Sequence, residues 1–417
     1  MSAIDGSKAR ISRSEWGLIF VLVAIQFTHM VDFVIIMPLG GRLMRELSLN
    51  ESQFAHVVSS YAWAAGITSL LASFVMDRFD RKSVLIIMYA GFAVSTLVCG
   101  LAEGYESLLL ARTLAGGFGG TAAVALMSVI GDVFPPEKRG RAAGAVMSAF
   151  ALASIAGLPI GLMFAEWFGR GAPFLLLAGL SGIVWLIALV KLPHIRGHLL
   201  LNRPDRLREF VNVVSNRNYI GAFCFTLFLV LGTFSVASFI GPYLTAINGW
   251  TEFQLSQIYF VAGTCTLIGM TVIGRLADRR GRLTLFRILA CGALVMALIV
   301  TNLPSGPLWV AAITMSAFMV TAAGRMVPMQ ALLLGVARPE SRGAFMSVNT
   351  AVQHAATGLA PLVSGMMLTI RPGTVIGFPN VGLFAAGTAA VSLLLAGMLR
   401  PAPADKSPLD ADGVVGA

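Results

Sequence analysis

Apolar residues run along this chain in blocks of about 20 or more, separated by short polar turns. A helix of that length crosses roughly 30 Å of hydrocarbon, so each block predicts one membrane span. The first runs from about 16 to 39 behind Lys8, Arg10 and Arg13; it is too long for a cleaved signal peptide and reads as a retained helix. Further spans are expected at 53–76, 83–102, 107–131, 142–167 and 172–193, then at 218–247, 254–276, 284–303, 307–336, 343–370 and 377–399. The pattern gives an all-α membrane protein with twelve transmembrane helices in two pseudo-symmetric six-helix bundles. The halves are 1–193 and 218–399, joined by a polar linker at 194–217 and followed by a tail, 400–417, whose Pro, Ala, Asp and Gly content predicts disorder.

The halves repeat each other in their turns. One charged turn occupies 73–82 and another 274–282, and their aspartates, Asp77 and Asp278, are 201 residues apart. Pro136, Glu137, Arg139 and Gly140 precede Met147 and Ser148, as Pro339, Glu340, Arg342 and Gly343 precede Met346 and Ser347. A duplicated membrane unit accounts for both.

Composition fixes the solvent. Hydrophobic residues make up 57% and charged residues 12%, about half the charged share of a soluble protein. The net charge of +10 would suit nucleic acid, but the basic residues are sorted by side instead. With the N-terminus inside, 24 of the 30 Lys and Arg fall on the inner side, and the outer turns hold only Arg42, Arg45, Arg170 and Arg371. Both termini are therefore expected in the cytoplasm. Cys99, Cys224, Cys265 and Cys291 lie in apolar runs at spacings that suit no metal site or disulfide framework, and read as buried inert thiols. Gly116, Gly117, Phe118, Gly119 and Gly120 lie mid-span with no Gly-Lys-Ser/Thr after them, so close helix packing at a moving interface is expected there rather than a phosphate loop. No metal ligands, nucleophile arrangement or nucleotide site is recognisable. The expectation is no enzyme and no cofactor, with an ion gradient as the driving force.

Charges inside the spans carry the candidate chemistry, because ionisable groups are expensive in hydrocarbon and face a cavity or a partner. Asp32 is the one carboxylate deep in a span. At 1.5 Å per residue it sits about 6 Å below the outer face, the same depth as Arg112 in the fourth span. Gln26, His29 and Asp32 recur every third residue and form a polar stripe expected to face the pore. His29 is either a second proton site or a hydrogen-bonded spectator. In the second half, Arg325, Asn349, Gln353 and His354 fall near mid-membrane, and no acid of that half matches the depth of Arg325. Together with Gln26, His29 and Tyr61 they are the candidate substrate contacts. Arg325 would meet an anionic substrate group, backbone carbonyls or Asp32.

These motifs resemble those of the major facilitator superfamily, in its twelve-helix drug–proton antiporter branch and the sugar-efflux-like relatives, over nearly the whole chain. The signature turn of that family has the form Gly, three residues, Asp, Arg, any, Gly, Arg, then Arg or Lys. Gly274, Asp278, Arg279, Gly281 and Arg282 match it, with Leu283 where a second base is usual; Asp77, Arg78, Arg81 and Lys82 match in the first copy, with Ser73 and Asp80 in place of the glycines. The resemblance implies that Asp77 and Asp278, with Arg78, Arg81, Arg279 and Arg282, form an inner gate in which each aspartate meets a helix N-terminus of the other half. Such a contact gains roughly 0.3–1 kcal/mol exposed and up to about 2 partly buried. The alternative is a solvated topology marker. The run 154–161, with Gly157, Pro159 and Gly161, is similar to the antiporter motif and predicts a bend and a close helix approach; ordinary packing is the alternative. Gly169, Arg170 and Gly171 depart from the usual Gly, Trp, Arg.

The resemblance also implies that Asp32 and Arg112 line a central cavity. Burial favours the neutral acid and a nearby guanidinium the carboxylate, so movement of Arg112 would load and unload a proton on Asp32. A static ion pair is the alternative. The function expected is proton-coupled efflux of a small organic compound or drug by alternating access, by a monomer in a bacterial inner membrane; its partners are the substrate, protons and the lipid bilayer. Uptake of a metabolite such as a sugar, and a membrane sensor without transport, are the other readings.

Overall fold

The computed structural model of this chain describes residues 11–195, 206–338, 341–371 and 373–399. The first half contains α1 (Arg13–Ile35), α2 (Gly40–Glu46), α3 (Glu51–Val75), α4 (Arg81–Leu101), α5 (Tyr105–Val133), α6 (Pro136–Met147), α7 (Ala149–Leu152), α8 (Leu158–Phe168) and α9 (Ala172–Lys191). After α10 (Arg206–Val214) come α11 (Arg217–Asn248), α12 (Glu252–Arg280), α13 (Arg282–Thr301), α14 (Leu308–Gly324), α15 (Met326–Val336), α16 (Arg342–Met367), a hairpin of β1 (Thr369–Arg371) and β2 (Thr374–Ile376), and α17 (Phe378–Met398). This is an all-α, multi-spanning membrane fold.

Among the described residues, eleven helical segments are long and apolar enough to cross a membrane, counting Pro136–Phe168 and Leu308–Val336 as one each. The twelfth expected span is α16, which has 26 residues but carries Asn349, Gln353, His354 and several hydroxyls. It packs along α3 and α11, and its Asn349 and Ser364 are wholly buried, so protein rather than lipid receives its polar face. Helix starts follow their sequence cues: Ser12, Asn50 and Thr251 each close a capping box with Glu15, Gln53 and Gln254.

Two spans are interrupted, each just before a proline. Ala153–Gly157 forms a π-helical turn ahead of Pro159, the local form that the expected bend takes. Helices α14 and α15 break at Arg325, where Pro328 removes the N–H that the Gly324 carbonyl would have accepted. Other features differ from the sequence expectation. The linker contains the helix α10, whose Phe210 packs edge-on against Phe74 at 5.5 Å. A hairpin with Gly373 at φ +76 occupies the turn expected at 370–377. Only Cys99 of the four free cysteines is buried and Cys291 is exposed, because the outside of a spanning helix faces lipid and tolerates a thiol.

The core is continuous across the halves at one end only. One cluster joins Val31, Ile35 and Phe54 to Phe239, Tyr259 and Phe378. Toward the end that carries the basic turns at 76–82 and 280–282, the core divides. One cluster holds residues of the first half alone, such as Ile25, Tyr89 and Leu126, and another residues of the second half alone, such as Phe225, Phe286 and Leu333. Polar bonds reinforce the joined end. Glu252 receives Arg42 Nη1 at 3.5 Å and Arg45 Nη2 at 3.4 Å, while its own N–H donates to Glu166 Oε2 at 3.0 Å. The Ile370 N–H donates to Glu51, and Phe54 meets Phe239 edge-on at 5.5 Å. A 460 Å³ cleft lies at this sealed end beside Arg45, Glu51, Trp250 and Arg371, apart from the buried charges described next.

Candidate functional site

Four helices of the first half converge on one ion pair. Arg112 on α5 donates through Nη1 to Asp32 Oδ2 at 2.9 Å and to the Asp32 carbonyl at 3.1 Å. Thr96 on α4 approaches Asp32 Oδ1 at 3.5 Å, and the Tyr61 ring on α3 lies 4.2 Å from the Arg112 guanidinium carbon. Both charges have zero exposure, so the depth match read from the sequence becomes direct contact. Gln26 and His29 are buried on the same side of α1. His29 faces Phe92 at 5.8 Å and Tyr61 at 6.2 Å. The glycine run sets these distances. A Cβ on Gly116 would stand 2.2 Å from the Tyr61 carbonyl oxygen, and one on Gly119 would stand 2.9 Å from His29 Nε2 and 3.1 Å from the Tyr61 hydroxyl. The close packing expected here is present, between α5 and the neighbouring α3 and α1.

The second half supplies a separate polar group. Arg325 stands at the break between α14 and α15 and donates through Nη2 to Thr233 Oγ1 at 2.5 Å and to the Leu229 carbonyl at 3.4 Å. Asn349 on α16 accepts from Thr226 at 2.7 Å. Gln353 lies one turn further along α16 and is partly exposed. His354 packs against α3, where a Cβ on Gly66 would come within 2.8 Å of the His354 Cβ. Phe33 and Phe234, 5.9 Å apart, link α1 to α11 between the two groups.

Buried side-chain atoms without a partner concentrate here. Both His29 ring nitrogens, the Tyr61 hydroxyl, Arg112 Nε and Nη2, Arg325 Nε and Nη1, and Asn349 Nδ2 have none among the described residues. Buried polar groups are normally satisfied, and exceptions mark places where water, an ion or a ligand enters. Sequence reasoning missed the partners: Thr96, Thr226 and Thr233 look like ordinary helix hydroxyls. The sealing group of Arg42, Arg45, Glu166 and Glu252 had a signal, since these are among the few charges at that end of the spans.

The gate residues are partly placed. The side chains of Asp77 and Asp278 lie outside the described part of the structure. Arg78, Arg279 and Arg282 are exposed, whereas Arg81 is buried and donates to Asp132 Oδ2 on α5 at 3.0 Å, inside its own half. Gly157 and Gly161 bring α8 onto α1, where added Cβ atoms would meet Val31 at 2.2 Å and Ile35 at 2.7 Å; Pro159 is buried. The π-helical turn that ends at Gly157 is also where α12 of the other half approaches, since a Cβ added to Gly263 would stand 2.7 Å from the Ser154 carbonyl oxygen.

The departures from the motif acquire reasons. Ser73 donates to the Leu70 carbonyl at 2.6 Å. Arg170 donates to the Ala102 carbonyl at 3.2 Å and approaches Glu46 at 3.5 Å, while Gly171 lets α9 meet the Gly100 carbonyl. Asp80 caps α4 through the Lys82 N–H at 3.2 Å, and it also receives the Ile195 N–H at 2.9 Å and His194 Nδ1 at 2.6 Å. Burial raises the Asp80 pKa, but His194 and the two backbone donors outweigh it and hold the carboxyl below its ordinary value. This contribution to stability is complete above the ordinary carboxylate value and is lost as pH falls through the lowered one. Asp80→Asn is expected to lower stability by about 1–2 kcal/mol near neutral pH, discounted for the exposed His194 ring. Thermal unfolding of both proteins across acidic pH checks this, since the difference should shrink as pH falls.

A family model described as Major Facilitator Superfamily matches residues 22–361 and, in a second alignment, 223–414. The chain is 26% identical over 374 residues to the MFS-type transporter YceJ of Bacillus subtilis (strain 168), covering 87% of this chain and 93% of that protein. It is 22% identical to a probable sugar efflux transporter of Helicobacter pylori (strain J99 / ATCC 700824), over 63% of this chain and 66% of the relative. Among solved structures, a bacterial homolog to the human lysosomal transporter Spinster, in an inward-facing and unoccupied conformation, matches with a TM-score of 0.74 at 16% identity. The match covers 95% of this chain and all of the other.

Proposed function

Because this chain belongs to the Major Facilitator Superfamily, a family of transporters and not of enzymes, it is a secondary transporter of small molecules, and we propose that it exports a small organic compound in exchange for protons. The observation that carries the proton-coupled reading is the fully buried Asp32–Arg112 pair, set among unpartnered polar atoms. Exchange of the Arg112 contact for a proton would let a change of packing around α1 and α5 alter the charge of Asp32. The probable sugar efflux relative supports export over uptake.

Two six-helix units, 1–193 and 218–399, would rock about this centre, with 194–217 as linker and 400–417 as tail. In this reading the basic turns and both termini lie in the cytoplasm, which the distribution of Lys and Arg supports. The joined core and the Glu252 bonds would then close the outer side, and the divided core would face the cytoplasm, an inward-facing state. Asp77 and Asp278 would engage the opposite half only when the basic end closes. The experiment is reconstitution in proton-loaded vesicles with a panel of radiolabelled and fluorescent compounds. Uptake of at least one compound that stops when the gradient is collapsed is expected. Uptake indifferent to the gradient would leave facilitated diffusion.

A further inference from the structure

The polar group of the second half leaves several donors without an acceptor among the described residues. Thr226, Leu229 and Thr233 lie on one face of α11, and they anchor Asn349 and Arg325 from two different helices. What remains over is Asn349 Nδ2 with Arg325 Nε and Nη1, all unpartnered, on side chains whose residues are 0% and 3% exposed. No carboxylate of this half offers itself. Among the described residues its spans carry acids only at their ends, Glu252 at the start of α12 and Asp278 near its finish. Asp32 is already engaged by Arg112 and Thr96. The central charges are therefore one carboxylate and two guanidinium groups.

A buried guanidinium without a counter-charge is costly, and an anion that brings two acceptor oxygens relieves both the charge and the empty donors. A neutral compound would leave the charge uncompensated, and a cation would meet a site already positive. We propose that the transported compound is an organic anion whose acidic group is received by Arg325 and Asn349. This rests on the transporter reading above and names its substrate class.

The test is thermal protection of the purified full chain by probes matched in shape and differing in charge. Salicylate is set against salicylamide, glucose 6-phosphate against glucose, and ethidium serves as the cation, all at constant ionic strength. An anion is expected to protect where its neutral counterpart does not. Arg325→Gln should weaken that protection roughly tenfold or more and Arg325→Lys should restore part of it. Asn349→Asp keeps a side chain of the same size and adds a negative charge; it should abolish anion protection even if Arg325→Gln fails to fold. Protection by the neutral or cationic probes, protection unchanged in Asn349→Asp, or no protection by either anion overturns the inference. Gradient-driven ethidium movement that survives Arg325→Gln would sink the anion site and leave the transporter. Anion protection without flux of any compound would do the reverse.

Discussion

Asp32→Asn is expected to insert and fold, yet to reduce proton-driven transport to the level of empty vesicles. Asparagine keeps the shape and still accepts from Arg112, but it carries no titrating proton. The change also strands a guanidinium of zero exposure. Breaking a buried pair by removing one member costs about 3–5 kcal/mol, softened here because the Asp32 carbonyl and the Tyr61 ring still face the charge. The double change Asp32→Asn with Arg112→Gln separates the two roles of the pair. If the pair only braces α1 against α5, removing both charges should recover stability and transport together. The coupling account expects stability to recover without transport. Thermal unfolding and flux on the same preparations decide between them.

Gly116→Val is expected to cost about 3 kcal/mol or more and to deplete folded protein. A Cβ at 116 would lie 2.2 Å from the Tyr61 carbonyl oxygen and 2.7 Å from its Cα. These are backbone atoms of α3, so no rotamer change relieves the clash and the helix itself must move. That movement would carry Tyr61 away from Arg112 and disturb the charge site. The control is Gly131→Ala in the same helix, where nothing lies within 4 Å of the added atom; it should be neutral or slightly stabilising through helix propensity. Gel filtration in detergent and unfolding temperature measure both.

Much of this was readable in the sequence because the bilayer enforces it. Hydrocarbon admits few charges, so Asp32, Arg112 and Arg325 stood out and the first two proved to be partners. The segment expected at 343–370 forms α16, whose polar residues meet α3 and α11 instead of lipid although its composition alone is too polar for a typical span. Hydropathy is blind to which neighbour a face meets. Prolines at 159 and 328 signalled interruptions, but propensity does not say whether a helix widens into a π turn, as at Ala153–Gly157, or breaks, as at Arg325. The Asp80 ties to His194 and Ile195 join residues more than 110 positions apart and depend on tertiary placement of the linker's start. Glu252 likewise gains its meaning only when α2 and α8 come beside it.

Proton movement provoked by substrate alone is the most direct measurement of coupling. Vesicles holding the protein and an internal pH dye, with no gradient imposed, receive a compound that the flux panel has shown to be carried. The account predicts a change of internal pH as the compound crosses, with protons moving opposite to it, and a flat trace for Asp32→Asn. A compound that crosses the wild-type vesicles without moving the dye, or an Asp32→Asn trace identical to wild type, would contradict it.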